Sequence, residues 1–286
     1  MIAPALVLGA PGLTTQVLDL PVDEGRAPVP WDAPVVQPPH LWADERSLLF
    51  RARGSAVHVT TERVLIETPD AEQRALMDWL VYATATRALL SLRRRFNLHG
   101  GGVVAPDGRI WGLIGESTAG KSTTGIELVR RGWGFACDDV IEVTTSDAGL
   151  PLARPVARPL HLSDEAAAGL GADVELGRWL PDRDKRAFAV SADLTPRELA
   201  GLVILTEGAP DAPVTARRVP GLQAIPVLAW SADRYSLCRL PAHRAPFHEW
   251  TAWLAHAVPL WHVTRPAGRD SVADVVAAVE GVVEAA

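Results

Sequence analysis

Gly115-Glu116-Ser117-Thr118-Ala119-Gly120-Lys121-Ser122 reads GESTAGKS and follows an apolar segment that ends at Ile114. It fits the pattern G-x-x-x-x-G-K-S, in which backbone N–H groups surround phosphate oxygens and the next helix adds the positive end of its dipole. In this pattern the lysine reaches the β- and γ-phosphates and the serine hydroxyl binds Mg²⁺. The stretch, with Thr123 after it, predicts a nucleotide site for ATP and Mg²⁺.

Lysine is scarce in this chain. Of 28 Lys and Arg residues only Lys121 and Lys185 are lysine. A chance match to a pattern that requires lysine is therefore less frequent here than in an average chain, which strengthens the prediction.

Composition excludes several classes of protein. The 286 residues are 48% hydrophobic and 22% charged, as in ordinary globular proteins, and the net charge of −6 argues against a general nucleic-acid binder. Cys137 and Cys238 are too few for a disulfide framework or a metal cluster. No apolar run reaches 18 residues, and no basic residue precedes the apolar run at 2–10. We expect a cytoplasmic protein with no membrane span or signal peptide.

The sequence pattern predicts an α/β fold in two parts. Residues 1–92 are expected to form a β-rich subdomain: irregular chain with one or two short edge strands to about 46, an antiparallel meander over 47–68, and a long helix from 68 to about 93. Residues 93–286 are expected to form the catalytic domain, with a hairpin that leads into the glycine stretch, a mixed sheet and packed helices. A short helix near 164–170 and an exposed loop over 171–186 are expected between its strands.

Asp138 and Asp139 lie 17 and 18 residues beyond Lys121, at the end of the strand predicted after the first helix. One helix and one turn can return these carboxylates to the phosphates. One of them, with Ser122, could hold hydrated Mg²⁺, and the other could take the proton of an attacking hydroxyl. We assign the metal to Asp138, and the pattern leaves open which of the two is the base.

These residues together resemble a known family. His99-Gly100 before a hairpin, GESTAGKS, Arg131-Gly132-Trp133 and Asp138-Asp139-Val140 are similar to the catalytic domain of HPr kinase/phosphorylase, closely so over about 90–145. The resemblance implies a P-loop kinase core of the HPr kinase and phosphoenolpyruvate carboxykinase type with a mixed sheet. It also implies phosphorylation of a protein serine, with an active site formed by five residues, His99, Lys121, Ser122, Asp138 and Asp139.

Two further residues are candidates beside this core. A neutral His99 could hydrogen-bond an aspartate, orient it and tune its pKa. Lys185 could clamp the transferring phosphoryl group from a mobile loop, and related chains have a Lys-Arg pair in this region. A solvated loop charge explains Lys185 equally well.

The chain also departs from the family. Thr118 replaces a glycine of the family's loop, the later signature of the phosphorylase reaction is not recognisable, and the N-terminal part is unlike that of true HPr kinases. We therefore expect kinase activity on a peptide or small protein other than HPr, with lasso-type peptide tailoring as the implied role. A small-molecule kinase for a sugar or an amino acid and a nucleotide-binding scaffold without transfer stay open as alternatives. We expect no nucleic-acid or membrane partner, and a homo-oligomer stays open because true HPr kinases are hexamers.

Overall fold

The computed structural model describes residues 20–37, 40–52, 54–68, 85–156, 160–162, 175–178, 186–188, 195–232 and 237–286. Within these residues the chain is a mixed α/β protein with two mixed sheets, a small third sheet and five α-helices. Three predictions concern residues outside the described ones: the catalytic role of Lys185, the helix expected near 164–170 and most of the long helix expected from residue 68.

A six-stranded sheet forms the N-terminal part, in the order β1-β6-β5-β4-β3-β2. Its β4, β5 and β6 are the predicted antiparallel meander, whereas β1 pairs parallel to β6. Among the described residues three short strands precede residue 47, where one or two short edge strands were expected, and two of the three, β1 and β2, lie at the edges of the sheet. The strands are β1 (Val22–Glu24), β2 (Val35–Gln37), β3 (Leu41–Ala43), β4 (Ser47–Ala52), β5 (Ser55–Thr60) and β6 (Val64–Glu67).

Helix α1 (Thr86–Leu92) packs on this sheet. Its Ala88, Leu89 and Leu92 are spaced to lie on one helix face and are buried with Leu48 and Val57 of the sheet. Leu237 and Leu240 belong to the same core, although they come from the C-terminal half of the chain. The N-terminal core therefore includes residues from both sides of the boundary expected at 92/93.

The larger sheet runs in the order β10-β8-β9-β16-β12-β11-β7. β18 pairs with β16 on one side and with β17 on the other. β9, β16 and β18 are parallel, and the other pairs are antiparallel. Only His99 separates β7, at one end of this path, from β8, which is the second strand from the other end. The strands are β7 (Asn97–Leu98), β8 (Gly100–Val104), β9 (Ile110–Gly115), β10 (Gly134–Cys137), β11 (Ile141–Thr145), β12 (Pro151–Pro155), β16 (Arg197–Gly208), β17 (Thr215–Val219) and β18 (Leu260–Pro266).

Helices cover both faces of this sheet. α2 (Lys121–Arg130) and α5 (Val272–Glu284) share one core with it, which contains Leu128, Val276 and the fully buried Trp111. α3 (Gly221–Ala232) and α4 (Pro241–Ala257) share the core on the other face. No helix among the described residues is long and apolar enough to cross a membrane.

One stretch differs from the prediction made for it. β13 (Leu160–Leu162), β14 (Glu175–Arg178) and β15 (Arg186–Phe188) form the third sheet, so the stretch expected to be an exposed loop over 171–186 contains a strand. β11 and β12 form a hairpin in a stretch whose residue pattern is also weak. In both places pairing with a neighbouring strand stabilises segments whose own residue pattern is weak.

Candidate active site

The predicted hairpin of β8 and β9 delivers the glycine loop, which we define as Gly115–Ser122. Gly115 ends β9 with φ 140, and a Cβ there would lie 2.5 Å from the carbonyl oxygen of Leu205 on β16. Gly120 precedes α2 with φ 97. Only glycine adopts these conformations without a steric penalty, which is why the loop has glycine at both positions.

Lys121 begins α2 and is buried. Its Nζ donates to the carbonyl oxygens of Gly115 and Glu116, at 3.0 Å and 2.8 Å. Gly120 provides no side-chain cap, so no capping side chain competes for the N–H groups at the start of α2. Such N–H groups and an adjacent ammonium form a typical anion site.

Arg265 of β18 forms hydrogen bonds with the glycine loop. Its Nε donates to the carbonyl oxygen of Ala119 at 3.1 Å, and its Nη2 donates to that of Thr118 at 3.0 Å. The same guanidinium pairs with Glu207 of β16. Thr118 has φ 76, in the left-handed region that a β-branched residue rarely adopts. Arg265 therefore holds a strained segment in place.

Ser122 and Asp138 meet across the loop. The Ser122 hydroxyl donates to Oδ1 of Asp138 at 3.2 Å, and Asp138 is 6% exposed. A hydroxyl and a carboxylate oxygen are hard donors of the kind that Mg²⁺ prefers, and this cation often takes only one or two protein ligands. The two residues therefore fit the expected magnesium site. The described residues contain no cluster of three or more His, Cys, Asp and Glu that could hold a metal.

Asp139 occupies an unusual backbone conformation. Its φ is 72, and the N–H of Val140 donates to the carbonyl oxygen of Asp138 at 2.9 Å, which closes a γ-turn around Asp139. Its own carbonyl oxygen accepts from the N–H of Gly100 at 3.3 Å. Such γ-turns are strained and persist where other contacts hold them, often at functional sites.

The carboxylate of Asp139 is held from two sides. Oδ1 lies 2.8 Å from Nη2 of Arg87 and 2.8 Å from Nδ1 of His99. The side chain of Arg87 is only 4% exposed, and its guanidinium also donates to the carbonyl oxygen of Asp139. The predicted interaction of His99 with one aspartate is therefore present, and Asp139 is that aspartate.

Burial lowers the pKa of His99 below its ordinary 6.5, and the charges of Arg87 and Lys121 act in the same direction, against the hydrogen bond with Asp139. The imidazole is therefore neutral at neutral pH. Nδ1 lies 2.8 Å from Oδ1 of Asp139, which can only accept a hydrogen bond, and is also in contact with Nη2 of Arg87, which can only donate one. These two contacts favour opposite tautomers, so the geometry assigns the ring proton to neither nitrogen.

The glycine run after His99 has a steric reason. A Cβ on Gly100 would lie 2.4 Å from the carbonyl oxygen of Leu113, and one on Gly102 would lie 3.1 Å from Sγ of Cys137. A Cβ on Gly101 would lie 3.8 Å from Oδ1 of Asp138. Glycine is therefore required sterically at Gly100, which lies against β9, whereas the distance at Gly101 is an ordinary van der Waals contact.

The structure brings together His99, Lys121, Ser122, Asp138 and Asp139. The remaining predicted nucleotide residues lie in the glycine loop or, for Thr123, in the first turn of α2. Lys185 lies outside the described residues, so its role stays a prediction.

The sequence interpretation missed two arginines of this site, Arg87 and Arg265. One signal pointed to Arg87, a single charge beside the apolar run Ala88-Leu89-Leu90. Arg265 has no comparable signal in the sequence.

No protein-family model matches this chain, and no curated protein matches it either. Among solved structures it is similar to the HPr(Ser) kinase/phosphatase from Coxiella burnetii, at 14% identity and a TM-score of 0.35. The match covers 66% of this chain and 91% of that one. It is a weak structural neighbour, and a TM-score at this level does not establish a common fold.

Proposed function

We propose that this protein is an ATP-dependent kinase that transfers the γ-phosphoryl group to a Ser or Thr hydroxyl of a peptide or small protein. The observation that supports this most directly is the convergence of two pairs of groups. Lys121 and Ser122 begin α2, and Asp138 and Asp139 follow β10, with Ser122 hydrogen-bonded to Asp138. A site that only bound nucleotide would not need the second carboxylate.

The residues of the site have separate roles in the proposed phosphoryl transfer. Backbone N–H groups of the glycine loop and the ammonium of Lys121 would bind the phosphates, after that ammonium leaves the loop carbonyls it now contacts. Ser122 and Asp138 would hold Mg²⁺, which when bound neutralises charge on the phosphate oxygens.

Asp139 is the proposed proton acceptor. Its side chain is 25% exposed, so an acceptor hydroxyl can reach it, whereas Asp138 is 6% exposed and faces Ser122. A carboxylate paired with Arg87 is a weak base. A weak base suffices when the transition state is loose, because the hydroxyl then loses its proton late, after it has become acidic through bonding to phosphorus. His99 orients this carboxylate through Nδ1.

Peptide modification, including the tailoring of a lasso-type peptide, is proposed from the resemblance of residues 90–145 to HPr kinases. The test incubates the purified chain with Mg²⁺, ATP and serine-containing peptides, and reads intact mass. We expect a gain of one phosphate on a peptide, lost in Asp138→Asn and Asp139→Asn. It should be kept in Asp147→Asn, which makes the same charge change in the exposed turn between β11 and β12.

The same assay with sugars and free amino acids tests the alternative of a small-molecule kinase. Transfer to one of these and to no peptide would replace the proposed acceptor class. ATP binding without transfer to any acceptor would favour a scaffold and refute the kinase proposal.

A further inference from the structure

The helix that packs on the N-terminal sheet also contributes to the site. Ala88, Leu89 and Leu92 of α1 lie in the N-terminal core, and Arg87 projects from the other side of the helix. Its guanidinium reaches Asp139, 52 residues further along the chain. The sheet that anchors α1 therefore fixes where this charge lies.

Arg87 contacts Asp139 at two points. Nη2 lies 2.8 Å from the carboxylate oxygen Oδ1 and also donates to the backbone carbonyl oxygen of the same residue. A planar guanidinium with several N–H donors can hold two acceptors in fixed directions, which a single ammonium does less well. This contact fixes both the backbone turn and the side chain of Asp139.

The turn requires such support. A residue with φ 72 in a γ-turn carries backbone strain, which persists only where surrounding contacts compensate for it. Burying a guanidinium is also unfavourable unless it is paired, and Nε of Arg87 is buried with no hydrogen-bond partner in the described structure. A purely structural ion pair would not need a strained partner.

We propose that Arg87 is a positioning residue of the transferase site, which holds Asp139 in the orientation that receives the acceptor's proton. This inference rests on the proposed function and deepens it. It makes the N-terminal part a component of the active site, because α1 and its sheet place the guanidinium.

The first test measures turnover in Arg87→Met and Arg87→Lys. Arg87→Met should lower kcat at least tenfold with KM for ATP within twofold, and Arg87→Lys should restore part of kcat because the charge returns without the two-point contact. Arg93→Met is the matched control, since it removes the same charge six residues later, where among the described residues the Arg93 side chain donates to the carbonyl oxygen of Thr61 at 3.4 Å. It should leave both constants within twofold.

A double-mutant cycle tests whether Arg87 changes the rate through Asp139. If Arg87 acts through Asp139, then Arg87→Met should change the residual rate of Asp139→Asn by less than threefold. Additive losses would overturn the proposal, and so would a raised KM for ATP with unchanged kcat in Arg87→Met.

An NMR titration tests the same contact without any turnover. Among the described residues, Arg87 on α1, Lys121 on α2 and Asp139 after β10 are the charged groups that act on the pKa of His99. Loss of Arg87 removes a cation and leaves the carboxylate, so the pKa of His99 should rise in Arg87→Met, with the signal assigned against His99→Gln. Arg87→Lys keeps the cation and tests the contact if Arg87→Met does not fold.

The two proposals can fail separately. A rise in the pKa of His99 with no phosphoryl transfer by the unmodified chain would support the contact and refute the kinase. Transfer by the unmodified chain with an unchanged pKa and kcat in Arg87→Met would refute the role of Arg87 alone.

Discussion

Thr118→Gly should stabilise this protein, although most substitutions in a functional loop do the opposite. Thr118 has φ 76, its side chain is exposed, and its carbonyl oxygen accepts from Arg265. The left-handed conformation costs an L-residue about 1–2 kcal/mol. Glycine removes this cost. It also raises the entropy of the unfolded chain, which lowers the stability of the folded state by about 0.4–1 kcal/mol. The net expectation is a gain of about 1 kcal/mol.

Thermal and urea unfolding measure this gain. For a chain of this size about 1 kcal/mol corresponds to a rise of about 2–3 °C in Tm. Thr118→Ala is the control, because alanine removes the exposed side chain but keeps the Cβ that causes the strain. Its stability should stay within about 0.5 kcal/mol of the parent. Equal stabilities of the glycine and alanine variants would refute the strain argument, as would a loss of stability in Thr118→Gly.

Three further predictions concern the loop and its surroundings. Gly115→Ala places a Cβ 2.5 Å from the carbonyl oxygen of Leu205 and should cost at least about 2 kcal/mol in urea unfolding. Arg265→Met removes both hydrogen bonds to the loop carbonyls and should raise the Kd for ATP about tenfold in calorimetry. Because the pKa of folded His99 lies below 6.5, the unfolded chain binds the proton first. His99→Gln should therefore lose less stability than the parent as pH falls from 7 to 5.

Each of these has a control that makes the opposite outcome informative. Gly281→Ala lies in the exposed part of α5 with no atom near the added Cβ, and should gain about 0.5–1 kcal/mol. Arg130→Met removes a 54% exposed charge near the end of α2 and should leave the Kd for ATP unchanged. His58, His243 and His262 also have lowered pKa values. If His99→Gln follows the parent's pH dependence, those histidines and not His99 account for it.

Sequence reasoning reached much of the site because its main parts are local. The glycine loop is one continuous stretch between a strand and a helix, and Asp138 follows after one helix and one turn. Chain geometry over such short distances leaves few arrangements, so periodicity and spacing predicted the hairpin, α2 and β10. The residue pattern did not predict β11 and β17, because their partners in the sheet stabilise them more than their own residues do.

The sequence by itself determined where a phosphate could bind and which acids could return to it. Only the tertiary structure decided how those acids differ: Asp138 faces Ser122, while Asp139 faces His99 and Arg87. It also decided that Arg265, 146 residues beyond Ala119, holds the loop. Both arginines reach their partners through the packing of α1 and the pairing of β16 with β18. Contacts over such separations depend on how whole elements pack, which no short stretch of sequence encodes.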